Sequence, residues 1–487
     1  MVNGVRKLFC YGAVCACMLS ALLLLPDVCP LPLLFLRSRL LHEGFDAGFW
    51  MQYFPVWGAE LAVLIVSLLL KKLCFPEAGA LGAFVRDRKR VLFALMLAIF
   101  FCASNARVLL RGGFQGYYNG WDYGDLLKHL NSYGNRSNLY DSNYPPFATL
   151  IYKLFYCFVP LASKDAASAL GYVLFLFFLG TLLPLFVLIR AFLGGSEHMR
   201  LLGTASFFIS GPVLYVYQRA NVAFFALVLL LFFLLYFRSE YRFLRELALL
   251  ALALSANIKY YPAIFGMLLL KEHRWKDAAR CAVYGVVVFA LPAILSPFLV
   301  SVAAAGEGAV SPVQVGFIQD SVRGMNAFTR GGNLGFLTGT ASSSLSLKAH
   351  LYNAVLVHLD LPEPVAGGIL WGALAIFFAF TLWLVAIAKK RYQELFLLGT
   401  LCIFVPTLSF WYSTLFLIPA LLYFLEEKQD SAFCTCAGLL LFIAIFCYAV
   451  ALSYGLTPDR VWHIVLLYAL LCAEVLSARR RGKSLHA

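Results

Sequence analysis

The chain has 487 residues, of which 62% are hydrophobic, 16% aromatic and only 13% charged, and its mean hydropathy is +0.81. That apolar content excludes a soluble globular domain. The formal net charge of +14 does not point to nucleic acid: the lysines and arginines form no patch with interleaved aromatics but punctuate the ends of apolar runs, as in membrane proteins.

In chain order, apolar runs that are candidates to cross ~30 Å of hydrocarbon occupy 8–25, 54–70, 91–110, 168–191, 201–217, 221–237, 244–257, 260–271, 281–299, 366–388, 394–408, 412–425, 432–452 and 461–477. Backbone groups in lipid must be satisfied within the segment, so these runs are helices. The first is a retained anchor rather than a cleaved signal, because no small-residue cleavage site follows it. The pair 244–257 and 260–271 is short and reads as two broken or tilted helices meeting at a polar turn. The expected fold is all-α: a polytopic transmembrane helical bundle forming one integral domain over 1–487, with large non-cytoplasmic loops at 111–167 and 300–365. The first loop ends in an apolar stretch, 144–161, which holds Pro145, Pro146, Lys153 and Pro160 and reads as an interfacial or re-entrant helix. The run Ala341-Ser-Ser-Ser-Leu-Ser346 in the second reads as a flexible loop with the makings of a lid. The thirteen cysteines mostly lie inside apolar runs and serve as small packing residues, not as a disulfide framework.

Orientation follows from the basic connections. Arg6-Lys7, Lys71-Lys72, Arg86 to Arg90, Arg238/Arg242, Arg274/Lys276/Arg280, Lys389-Lys390-Arg391 and Arg479 to Arg481 alternate along the chain with less basic connections, which assigns the basic set to the cytoplasm. The alternate connections are 26–53, 111–167, 300–365 and the turns near 218, 259, 409 and 455. Asp122, Asp125, Gln218, Lys259, Arg330 and Asn333 then share the non-cytoplasmic face. Polar residues scattered by chance would divide between the two faces.

The polar island Gly120-Trp-Asp-Tyr-Gly-Asp125 holds two carboxylates three residues apart, on one face of any helix that starts at Trp121. A carboxylate beside a membrane can serve as general base toward a hydroxyl; the same spacing also suits an N-cap and a first-turn acid. Tyr140 and Tyr144-Pro145-Pro146 close the island, the prolines as punctuation and the tyrosines as potential stacking surfaces. Lys259, in Asn257-Ile-Lys-Tyr-Tyr-Pro262, is a cation between two apolar runs. It either holds a lipid phosphate from an outer cavity or snorkels to the interface. Arg219, in Gln218-Arg-Ala-Asn221, carries the same two readings. Arg323, Asn326, Arg330 and Asn333 offer guanidinium and amide donors to a phosphate or are solvated loop residues. Trp411 reads as an interfacial belt residue or a site residue. His129 and His350 lack partners at ligand spacing, so no metal is expected.

These marks, in this order, resemble a GT-C glycosyltransferase and, more narrowly, glycosyltransferase family 87, which includes polyprenol-phosphate-mannose-dependent mannosyltransferases. The resemblance rests on Asp122-Tyr123, Leu139-Tyr140, Tyr144-Pro-Pro146, the Gln218 to Asn221 turn opening a leucine-rich helix, Lys259-Tyr-Tyr-Pro262, Arg274-Trp275 and Ser409-Phe-Trp411; the Asn-rich motif of the later outer loop is reduced here to Gly332-Asn333-Leu334. It implies transfer of a sugar, mannose in the named members, from a polyprenyl-phosphate donor to a lipid-linked or glycan acceptor. The acceptor hydroxyl attacks with inversion, Asp122 or Asp125 takes the proton, and basic residues stabilise the departing lipid phosphate. Gln218, Arg219, Asn221, Lys259, Tyr140, Tyr144, Arg330, Asn333 and Trp411 would bind substrate. The lipid phosphate is a substrate, so no cofactor and no nucleic acid is expected, and the setting is a bacterial plasma membrane with the site on its non-cytoplasmic face. An O-antigen-type ligase or polymerase, which would depend on the loop arginines and not on Asp122, and a polytopic transporter or lipid flippase are the alternative readings.

Overall fold

Leucine, phenylalanine and alanine fill Ala223–Tyr236 on every side, and a helix apolar all round belongs inside other helices. The computed structural model places it there, and describes residues 80–110, 126, 145–157, 166–304, 344–352, 359, 361–406, 409–428, 431–447 and 457–484. Among these residues there is no strand. The expected crossings 8–25 and 54–70, and the residues Asp122, Asp125, Tyr140, Tyr144, Arg330 and Asn333, lie outside them.

The helices are α1 Ala80–Leu110, α2 Pro146–Cys157, α3 Ala166–Phe192, α4 Glu197–Phe208, α5 Gly211–Arg219, α6 Ala223–Tyr236, α7 Arg242–Ile258, α8 Met267–Lys271, α9 Trp275–Ala304, α10 Leu347–Leu351, α11 Glu363–Ile387, α12 Arg391–Phe404, α13 Ile418–Glu426, α14 Ala432–Phe446 and α15 Thr457–Ser484. Two 3-10 segments, Tyr261–Gly266 and Trp411–Leu417, run directly into α8 and α13. The broken pair expected over 244–271 is therefore present, with Lys259 at the break and Pro262 opening the 3-10 turn. Proline at that point lacks an N–H donor and suits the first turn of a helix.

Only Pro364–Ile387 is, among the described residues, a single helix long and apolar enough to cross a membrane; Glu197–Phe208 with Gly211–Tyr217, bent by 56°, passes as one broken span. Leu176–Phe192, Ala223–Tyr236, Tyr261–Lys271, Trp411–Glu426 and Cys434–Phe446 are shorter apolar helical stretches. A helix of 14 residues such as α6 rises about 21 Å, short of the ~30 Å hydrocarbon layer. Among the described residues the apolar runs fall on helices, 201–217 on two of them, while many of these helices fall short of a full crossing by their own length.

Helices α6 and α12 form the centre. Every residue of α12 from Tyr392 to Phe404 is buried. Around them α11 turns Ile369, Trp371, Ile376, Phe380 and Trp383 outward, and α9 does the same with Val283, Val286 and Val287. Polar side chains inside the bundle are spent on helix-to-helix bonds: Ser255 Oγ donates to the Ala226 carbonyl at 2.7 Å, and Asn257 Nδ2 to the Gly285 carbonyl at 3.0 Å. Two glycines permit close approach. A Cβ on Gly399 would stand 2.7 Å from the Phe416 carbonyl oxygen, and one on Gly211 would stand 2.7 Å from Trp411 Cη2 and 2.8 Å from the Cys447 carbonyl. Gly211→Ala is therefore expected to cost about 1–3 kcal/mol through overpacking. A lowered thermal midpoint of the detergent-purified protein would read this out, and an unchanged midpoint would mean that Trp411 moves aside freely.

The two ends of the bundle differ. At one end the basic connections interlock. Arg238 and Arg391 share the Glu272 carboxylate. Lys271 donates to Glu394 at 2.6 Å and to the carbonyls of Val385 and Ala388, closing the C-terminus of α11 with a cation. Arg90 pairs with Glu426, Lys89 reaches the carbonyls of Phe424 and Glu427, Arg280 bridges Glu246 and Asp277, and Arg190 pairs with Glu197. The opposite end carries the α5–α6 turn, Lys259, the 344–350 segment and the 409–412 turn.

Candidate functional site

Helix α5 ends in an abrupt reversal. Ala220 takes a left-handed backbone, φ 48°, as its C-cap, and Asn221 follows it fully buried, its Oδ1 accepting the Ala223 N–H at 2.9 Å. The side chain of Asn221 thus closes the turn that precedes α6, and the turn leaves Arg219 on the last turn of α5. The Val222 N–H donates to Tyr152 Oη at 3.3 Å, which ties α2 to the same turn. Gln218 is placed on α5 by its backbone alone.

Tyr215 lies one helical turn before Arg219, so the two share a face. Arg219 Nη1 donates to Tyr215 Oη at 3.5 Å, and the guanidinium carbon lies 5.9 Å from both the Tyr215 and the Phe410 ring centroids. The Tyr215 ring stacks on Tyr412 at 6.4 Å and meets Trp411 at 5.5 Å. Across the Tyr412 ring, at 5.5 Å, lies Lys259 Nζ. Lys259 is the C-cap of α7, with an extended backbone, and is only 9% exposed. Two cations from separate turns therefore flank one aromatic cluster made of Tyr215, Phe410, Trp411 and Tyr412. An aromatic face attracts a cation through its quadrupole.

Beside the cluster runs the segment 344–351. Leu345 N–H donates to the Ser409 carbonyl, and Ser344 Oγ to the same oxygen at 3.2 Å. Burial holds the Lys348 ammonium and the His350 imidazole below their usual pKa, the bond to the Ser344 carbonyl partly opposing this for His350. Lys348 Nζ sits 4.7 Å from the Trp371 ring centroid. Ser344 and Ser346 are fully buried, whereas the serine run reads as flexible loop from its composition; Ser344 Oγ bonds the Ser409 backbone and accepts the Ser346 N–H.

Of the residues expected to bind substrate, Lys259, Arg219 and Trp411 come together, and Asn221 sits at the same end in the turn before α6. Tyr215, Phe410 and Tyr412 join them without having been singled out from sequence. The i, i+4 spacing of Tyr215 to Arg219 was the available signal for the first; adjacency to Trp411 was the signal for the other two. Among the described residues, no group of three or more His, Cys, Asp or Glu side chains is arranged to hold a metal ion.

The model of glycosyltransferase family 87 matches residues 143–410, more than half of the chain and a span that includes Arg219 and Lys259. No curated protein and no solved structure matches.

Proposed function

Because the chain belongs to glycosyltransferase family 87 and is a glycosyltransferase, we propose that it is a GT-C membrane enzyme that moves a sugar, mannose by our reading, from a polyprenyl phosphate to a lipid-linked or glycan acceptor. The observation that carries this reading is the pair of cations, Lys259 and Arg219, on one aromatic cluster at the end opposite the interlocked basic connections. A lipid-phosphate leaving group needs positive charge at the membrane boundary and stacking surfaces for a sugar. The cluster offers both.

In the reaction the acceptor oxygen bonds to the anomeric carbon as the bond from that carbon to the phosphate oxygen breaks, with inversion. The acceptor proton passes to Asp122, with Asp125 beside it, and the polyprenyl phosphate leaves with its negative charge facing Lys259 and Arg219. Tyr140, Tyr144, Gln218, Arg330 and Asn333 complete the substrate contacts in this reading. The basic end faces the cytoplasm and the aromatic cluster faces away from it, in the bacterial plasma membrane. In a background without native cysteines, reaction of Lys390→Cys with an impermeant thiol reagent in intact cells would invert that orientation.

Membranes containing the protein, supplied with labelled polyprenyl-phosphate mannose, are expected to yield a labelled glycolipid or glycan that membranes lacking it do not. Transfer from a nucleotide sugar, with none from the lipid phosphate, would remove the donor assignment.

A further inference from the structure

We propose that the segment Ser344–His350 is a strap that sets the aromatic turn 409–412 beneath the two cations, with Ser344 as the positioning residue. The inference rests on the phosphate-binding reading of Lys259 and Arg219.

A serine hydroxyl has one proton to give and two lone pairs to accept with. Ser344 uses all three. It donates to the Ser409 carbonyl at 3.2 Å, accepts the Ser346 N–H at 3.1 Å, and accepts the Ser409 N–H at a longer 3.5 Å. The adjacent Leu345 N–H also donates to the Ser409 carbonyl. Both polar groups of the Ser409 backbone are therefore held by two consecutive residues of the strap. The strap is closed on itself in turn, for His350 Nε2 lies 2.7 Å from the Ser344 carbonyl and acts as donor to it. Burial favours the neutral imidazole, and this bond assigns its proton to Nε2.

From Ser409 the connection to the cations is short. Phe410 follows directly and faces Arg219, Tyr412 faces Lys259, and the Phe410 and Tyr412 rings meet at 5.8 Å. The 409 backbone has no helix to fix it: Ser409 and Phe410 precede the 3-10 segment and have extended or irregular backbone. The seam with Ser344 thus holds the residue from which Phe410 and the 3-10 segment carrying Tyr412 begin. The other hydroxyls of the seam do not share the load. Ser346 Oγ and Ser409 Oγ are buried and have no hydrogen-bond partner among the described residues.

The test is a double-mutant cycle in the purified enzyme with a labelled polyprenyl-phosphate sugar. Ser344→Ala is expected to lower kcat by ~10-fold, whereas added to Lys259→Gln it should lower kcat by no more than ~2-fold, because residues acting as one unit do not add. Ser346→Ala removes an unused hydroxyl and is the control, with wild-type kinetics. If the Ser344→Ala protein does not accumulate, His350→Phe carries the same cycle, and failure of both variants to fold would make the seam purely architectural and overturn the proposal. Additive losses, or wild-type kinetics for Ser344→Ala in the presence of a damaged Lys259→Gln, would also overturn it. Wild-type kinetics for Lys259→Gln itself would instead remove the phosphate reading on which it rests.

Discussion

Asp122→Asn is expected to lower transfer by about 10²–10⁴-fold, the range for loss of a general base, while leaving expression and thermal midpoint unchanged. An amide of the same shape accepts a hydrogen bond but cannot take the acceptor proton. Asp125→Asn should cost less. The preference rests on spacing: Asp122 stands eighteen residues before Tyr140, the spacing that carries the family resemblance. Full activity in Asp122→Asn together with loss in Asp125→Asn would move the role by three residues. Full activity in both, with loss on replacing Arg330, would move the chain toward the ligase or polymerase reading.

Lys259→Gln is expected to lower kcat and kcat/KM together by about 10²–10³-fold, comparable with removal of one transition-state donor in a dry site. The negative charge on the phosphate oxygen grows as the sugar departs, so a cation facing it contributes more in the transition state than in the bound donor. That signature, an equal fall in both constants, separates it from simple donor binding, which would raise KM alone. Lys259→Arg tests geometry. A lysine that only reaches for the interface tolerates arginine, because both carry a long apolar stem and a charge. Over the Tyr412 ring, in a position that is 9% exposed, a planar fork cannot reproduce a point charge. Wild-type kinetics for Lys259→Gln would leave Arg219 and the loop arginines as the phosphate candidates.

The helices were legible because apolar runs and helix bounds are governed by the same burial. The break at Lys259 and Pro262 was legible because proline removes a donor. The two-ended character was legible as well, since the basic connections alternate with turns that hold Gln218, Lys259 and Ser409. Adjacency was not legible. Nothing in a one-dimensional pattern says that the ring of Tyr412 lies under Lys259 or that Phe410 meets Arg219, because those contacts cross from one turn to another over about 150 to 190 residues of chain. The seam at Ser344 was hidden for a different reason. A serine run has the composition of a loop whether its hydroxyls bond water or a neighbouring backbone. Asn221 showed the converse ambiguity: an amide at an outer turn suggests a ligand contact, and its Oδ1 is used on the Ala223 N–H.

The interlocked basic end has a consequence for how such a chain is made. In the orientation proposed above, lysines and arginines such as Arg238, Lys271 and Arg391 steer each hairpin during insertion, when they stand alone at the inner surface. In the finished fold the same side chains are cross-links, gripping Glu272, Glu394 and the frayed carbonyls of α11. Biogenesis spends the charges first and cohesion reuses them. A charge-reversing change there would therefore act twice, once on the topology of the nascent hairpin and again on the stitching of the mature one. If the distal end, where Lys259 and Arg219 sit among rings, holds the donor as proposed above, sequence there is free to drift toward a new sugar while the stitched end keeps the bundle together.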